Sequence, residues 1–148
     1  MALDPALVAR IDRSVERYGA GCPTPPDQTR SLLAEIGVRP PDDYVEFVSR
    51  WGGCFCGVSI RAFHNADLLG LDTCVDLTKW ARCAFAGLSA IADTGLDGGL
   101  VIATDEAGNP ILIAPDGEIR LLDHDHGTVE VLAPDLATLL ADCVDDAA

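Results

Sequence analysis

The sequence predicts an α+β domain: N-terminal helices, a largely antiparallel sheet of about five to six strands with a C-terminal meander, and a closing C-terminal helix. Three observations predict it. Apolar residues recur at spacings of three and four through the first fifty positions, short apolar runs from Leu100 onward are separated by Gly-, Asn- and Asp-containing turns, and a Leu-rich segment follows Pro134 and Asp135.

The first helix is expected between Asp4 and Gly19, with Leu7, Val8, Ile11, Val15 and Tyr18 on one face and Arg10, Asp12, Arg13, Glu16 and Arg17 on the other. Gly19, Gly21, Pro23, Pro25 and Pro26 break the chain. A second helix begins near Asp27, carries Leu32, Leu33 and Ile36, and ends at Gly37. Pro40 and Pro41 suit the first turn of a third helix, where Asp42 and Asp43 place negative charge at the positive end of the dipole. Tyr44, Phe47, Val48 and Trp51 share one face of that helix, and Gly52–Gly53 stops it.

Alternation from Cys54 to Ile60 predicts one strand, with Cys54, Cys56, Val58 and Ile60 on a common face. Residues 61 to 99 carry the weakest pattern: a loop through His64 and Asn65, a short helix around Val75 to Phe85, and turns from Asp93 to Gly99. Four strands then follow, at Leu100–Thr104, Ile111–Ala114, Glu118–Leu122 and Thr128–Leu132. Asp105–Asn109, Pro115–Gly117 and Asp123–Gly127 form the turns between them. The last helix buries Leu136, Leu139, Leu140 and Cys143. Tight turns make the sheet antiparallel, with helices on one face and the other face free for solvent or a partner.

At 148 residues, 49% hydrophobic but only 5% aromatic, the chain has enough material for one aliphatic core. A single domain over residues 1–148 is expected: an N-terminal helix and connection at 1–26, a core at 27–144 and an acidic tail at 145–148. Met1 is followed by Ala2, Leu3 and Asp4, with neither a basic start nor a long apolar run. The expected location is therefore cytoplasmic, with the six cysteines as reduced thiols that pack as small hydrophobes.

Ten basic against twenty-four acidic residues give a formal charge of −14, which repels nucleic acid and anionic lipid and favours a basic protein partner. No cofactor is implied. Gly95, Gly98 and Gly99 frame acid where a phosphate loop needs bare amides and a lysine, and Lys79, the chain's one lysine, adjoins no glycine loop. His124-Asp125-His126 places two imidazoles where they could share a metal, but His64 and the cysteines lack the spacing of a zinc site, and Cys54 and Cys56 have one residue between them. A solvated turn is the commoner use of such a pair, so no metal site is assigned. A Cys–His nucleophile drawn from Cys54, Cys56 or Cys83 with His64 or His124 has no motif that frames it, and no catalytic residue is assigned.

Two segments carry a family resemblance. Gly37 to Gly53, reading GVRPPDDYVEFVSRWGG, resembles the opening signature of the SUKH superfamily through Pro41, Asp43, Tyr44, Phe47, Gly52 and Gly53, with Pro40 in place of the usual Leu. Leu100 to Leu140 is similar to that family's C-terminal half, with Gly108-Asn109, Asp116-Gly117 and Asp123-His124 in the expected order. These residues are scaffold in the family rather than a catalytic set. The resemblance implies a non-enzymatic bacterial immunity protein that binds and neutralises a cognate toxin domain; the alternative is a regulatory interaction module of the same family, and a small metal-dependent enzyme stands third. The candidate partner interface is acidic: Asp93, Asp97, Asp105, Glu106, Asp123 and Asp125.

Overall fold

The computed structural model describes residues 3–87 and 94–144. Among these residues five α-helices and six strands are found, the strands forming a two-stranded hairpin and a four-stranded antiparallel sheet with helices on both faces.

Helix α1 spans Pro5–Tyr18, with Pro5 at its first turn and the Asp4 carboxylate accepting the Ala6 N–H at 2.8 Å. Helix α2 spans Pro26–Ala34 and leaves through Gly37 at φ 75°. Helix α3 spans Asp42–Trp51 and stops at Gly52, φ 63°. Each lies where periodicity and punctuation place it. Tyr44, Phe47 and Val48 are fully enclosed, and the Trp51 indole N–H donates to Asp12 on α1 at 2.8 Å.

The segment expected as one strand is a hairpin: β1, Cys54–Phe55, and β2, Ser59–Ile60. Gly57 at φ 86° turns the chain between them. Cys54 pairs with Ile60 across the hairpin, so both face the core just as alternation along a single strand would have placed them. A β-carbon at Gly57 would collide with the Cys143 carbonyl oxygen, so the turn also fits against the last helix. A short 3-10 turn follows at Asp67–Leu69.

Helix α4, Cys74–Ala84, opens with a reciprocal cap: the Asp76 N–H donates to Thr73 Oγ1 at 3.1 Å and the Thr73 N–H to Asp76 Oδ2 at 3.0 Å. The meander is β3 (Leu100–Thr104), β4 (Pro110–Ile113), β5 (Ile119–Asp123) and β6 (Thr128–Ala133), neighbours in chain order. Helix α5, Leu136–Cys143, closes the fold, capped by Asp135 on the Thr138 N–H at 2.8 Å.

The expectation of one bare sheet face is corrected. Leu100, Ile102, Ile111, Ile113 and Ile119 face a large core with α1, α3, α5 and the hairpin. Their neighbours Val101, Leu112 and Leu122 face a second, smaller core with Leu77 and Ala81 of α4. The runs Leu100–Ala103 and Ile111–Ala114 are apolar without alternation, as strands covered on both sides must be. Strand β6 is an open edge with Val131 56% exposed, whereas the outer edge of β3 is covered: the Arg61 N–H donates to Ile102 O at 2.7 Å and the Val101 N–H to Thr78 Oγ1 at 2.9 Å.

Asp43, only 6% exposed, binds two helices at once. It accepts the Tyr44 N–H of α3 at 2.8 Å and the Ala137 N–H of α5 at 3.2 Å. Burial pushes its carboxyl above the ordinary 3.8, against the amides of Ala137, Tyr44 and Leu136, which pull it down; Asp135 nearby adds to the rise. Replacement by Ala removes the acceptor for both helices and is expected to cost about 1–3 kcal/mol, measured by urea unfolding. The folded state holds this proton more tightly than the unfolded chain does. The Asp43 contribution is therefore largest below pH 3.8 and is lost as pH rises through its higher folded value. The stability of the wild type relative to Asp43→Asn should accordingly fall as pH rises from below 3.8 through the higher folded value of the Asp43 carboxyl, and a flat difference would contradict the assignment.

Candidate functional site

The turns β3–β4 and β5–β6 lie at the same end of the meander and are joined by one side chain. Asp105 Oδ1 accepts the N–H groups of Ala107 at 2.9 Å and Asn109 at 2.8 Å, and Oδ2 accepts Asn109 Nδ2 at 3.0 Å. The buried Asn109 amide then accepts the His124 N–H at 3.0 Å, clasping one turn to the other. In the second turn Asp123 Oδ1 accepts the N–H groups of Asp125 and His126, both at 3.1 Å, and Oδ2 lies 2.9 Å from His126 Nδ1.

Asp105, Glu106, Asp123 and Asp125 thus share one end of the sheet. Asp97 does not join them; it precedes β3, at the end where β4 turns into β5, and lines a hollow with Arg82, Phe85 and Leu96. Asp93 lies outside the described residues. Asp116 and Gly117 occupy the β4–β5 turn, where Asp116 accepts the Glu118 N–H at 3.0 Å and Gly117 adopts φ 92°.

Electrostatics at this end are governed by hydrogen bonding. For Asp105 the burial penalty is the largest single influence, but the Asn109 and Ala107 donors together outweigh it, so its carboxyl sits below the ordinary range. The His126 ring and backbone hold Asp123 low, and Asp123 in turn raises the His126 imidazole above 6.5. The attraction between them is present below pH 6.5 and lost as pH rises through the higher folded value of His126. In an NMR titration of the imidazole protons His126 should titrate above the ordinary histidine value, and Asp123→Asn should bring it back.

Helix α4 supplies what sequence reasoning missed. Trp80 meets Phe85 edge to face at 5.4 Å, and Phe85 meets the His124 ring at 5.5 Å, forming an aromatic row from the helix to the β5–β6 turn. Beside it runs a groove of about 390 Å³ lined by Asp72, Asp76, Leu77, Trp80, Thr104 and Gly108. A tryptophan among the polar positions of an amphipathic helix was the available signal.

His124 Nε2 lies 3.4 Å from Asp125, and among the described residues no group of three or more His, Cys, Asp or Glu side chains converges as a metal site. Cys54, Cys56 and Cys74 are buried in the main core. Cys56 is pushed well up by its contact with Cys54 and by burial, and burial pushes Cys74 up to about 11. Thiols of this kind are protonated at neutral pH and are poor nucleophiles. What the described residues gather at this end is charge and aromatic surface.

A family model described as the SMI1 / KNR4 family (SUKH-1) matches residues 23–142. The chain belongs to this family. The family includes immunity proteins and SMI1/KNR4-like proteins and is generally non-catalytic. The match begins after α1, yet in this SUKH-1 chain α1 packs into the main core through Leu7 and Ile11 and holds the end of α5 through Arg10, whose guanidinium donates to the Ala141 and Val144 carbonyls at 3.0 and 3.1 Å. No curated protein and no solved structure matches the chain. Among the described residues no helix is long and apolar enough to cross a membrane.

Proposed function

We propose that this SUKH-1 domain is an immunity protein that binds a basic toxin domain through the acidic end of its meander and the adjoining face of α4. The observation that carries the reading is the clasp between the two turns. It presents the carboxylates of Asp105, Glu106, Asp123 and Asp125 together on a rigid scaffold next to exposed aromatic surface. Opposed charge speeds diffusional encounter, and an apolar centre slows release.

The partner is expected to be recovered from the native cell by affinity capture as a stoichiometric basic domain, and co-expression should rescue growth when that domain is induced. Capture of signalling or biosynthetic enzymes without rescue would instead indicate a regulatory module. Charge reversal separates interface from scaffold only where the carboxylate has no structural duty. Asp12 holds the Trp51 indole, and Asp105 and Asp123 organise their turns, so Glu106 and Asp125 are the informative positions, with Glu16 and Glu35 as controls. Glu106→Lys with Asp125→Lys should lower the association rate about tenfold at low salt. The same change at Glu16 and Glu35 should have little effect, and equal effects in stopped-flow binding would sink the assignment.

A further inference from the structure

Four large apolar side chains stand exposed among the described residues: Leu68 at 63%, Leu71 at 95%, Trp80 at 42% and Val131 at 56%. Three of them fall between residues 68 and 80, and one of these, Trp80, lines the groove beside α4. A tryptophan left half in water is unlike the other indole of the chain. Trp51 is buried and hydrogen-bonded to Asp12, whereas the Trp80 N–H has no partner among the described residues.

The groove beside Trp80 is built rather than incidental. Phe85 buttresses the indole from one side. The main chain of Asp72 is pinned by two donors on its carbonyl, Arg61 Nη1 at 3.0 Å and Asn65 Nδ2 at 2.8 Å, while its carboxylate has no partner among the described residues. Asp76 is locked by the α4 capping box through Oδ2. Glu106, two residues before Gly108 in the groove wall, has no partner among the described residues either. The countercharges are Lys79, next to Trp80 in sequence, and Arg61, whose guanidinium is engaged on the Asp72 carbonyl.

A groove lined by an exposed indole, by an Asp72 carboxylate on a pinned main chain and by the capped Asp76 favours a cation, and a flat one in particular. A guanidinium stacks on an indole face and offers two parallel donors to a carboxylate, whereas an ammonium is a hydrated point charge. A second copy of the chain is disfavoured as the occupant by its charge of −14. We propose that the groove receives an arginine side chain of the partner protein, its guanidinium stacked on Trp80 and paired with Asp72. This assignment rests on the protein-binding reading above and names the anchor of that interface.

The test uses the isotope-labelled full chain and capped peptides Gly-Ser-X-Ser-Gly, with X arginine, lysine or the uncharged isostere citrulline. With arginine, the Trp80 indole N–H and the backbone amides of Asp76, Thr104 and Gly108 should shift and saturate, about tenfold more tightly than with citrulline or lysine. Trp80→Leu and Asp72→Asn should each remove the response, while an unmoved Trp51 indole signal reports that the fold is intact. Equal binding of citrulline or lysine, shifts that avoid Trp80, or undiminished binding by Trp80→Leu would each overturn the proposal. The assay contains no toxin, which separates the two readings. A chain that binds the arginine peptide at Trp80 but rescues no growth loses the neutralising function and keeps the groove, and a Trp80→Leu chain that rescues as well as wild type loses the groove alone.

Discussion

The buried carboxylate of Asp43 sits where two helices begin, and much of the architecture follows from the need to satisfy it. A carboxyl so enclosed must find donors, and it finds them on α3 through Tyr44 and on α5 through Ala137, 94 positions away. Its neighbour extends the tie: the Tyr44 hydroxyl donates to Arg61 O at 2.8 Å, and the Arg61 N–H donates to Ile102 O on β3. Two consecutive residues therefore connect the third helix to the last helix and, through the segment after the hairpin, to the edge of the sheet. The two stretches that carry the family signature are far apart in sequence and become one structure at this point.

Helix α4 is fixed as firmly on the other face. Thr78 accepts the Val101 N–H while donating to the Cys74 carbonyl at 2.7 Å, so one hydroxyl serves both helix and sheet edge. Arg82 spreads its guanidinium over the carbonyls of Ile36, Leu96 and Gly99 at 2.7, 3.0 and 3.3 Å, which ties the helix to the α2–α3 connection and to the approach to β3. With Leu77, Thr78 and Ala81 turned to the sheet, Trp80 is left outside by helical geometry. Its exposure belongs to a helix fixed at both ends, so the proposed contact would have little backbone to order.

Elements with strong punctuation were legible in the sequence. Pro41 and the two aspartates after it marked the start of α3, Gly19 and Gly52 marked helix ends, and the four strands of the meander lie within one residue of their expected bounds, whereas Pro26, expected in the break, is the first residue of α2. Two features were not. Gly57 was read as an ordinary strand position because the pattern of buried residues is the same for one strand and for a hairpin that pairs Cys54 with Ile60. The second core does not follow from tight turns, which fix an antiparallel sheet but not how many of its faces are covered; its signal is the unbroken apolar runs of β3 and β4, which require cover on both faces. For the candidate site, turn chemistry placed Asp105, Glu106, Asp123 and Asp125 together, but neither Asn109 as the clasp nor the groove could be read, since the clasp joins two separate turns and the groove needs Thr104 and Gly108 set beside α4.

The acid at this end of the sheet has two origins, and separating them shows where selection for binding would act. Asp105 and Asp123 each gather backbone amides that would otherwise go unpaired in a tight turn, so they would be needed in a protein with no partner at all. Asp76 caps α4 in the same sense. Asp72 and Glu106 have carboxylates with no bond to make within the described residues, and Asp125 has only a 3.4 Å approach to His124. Like charges placed close together on a surface oppose folding, so acid beyond the needs of the turns carries a stability cost with no return in the isolated domain. Of that surplus, Asp72 lines the groove walled by the exposed Trp80 and Glu106 lies two residues before Gly108 in its wall, so the acid with no duty in the turns includes the carboxylate on which the proposed arginine contact depends.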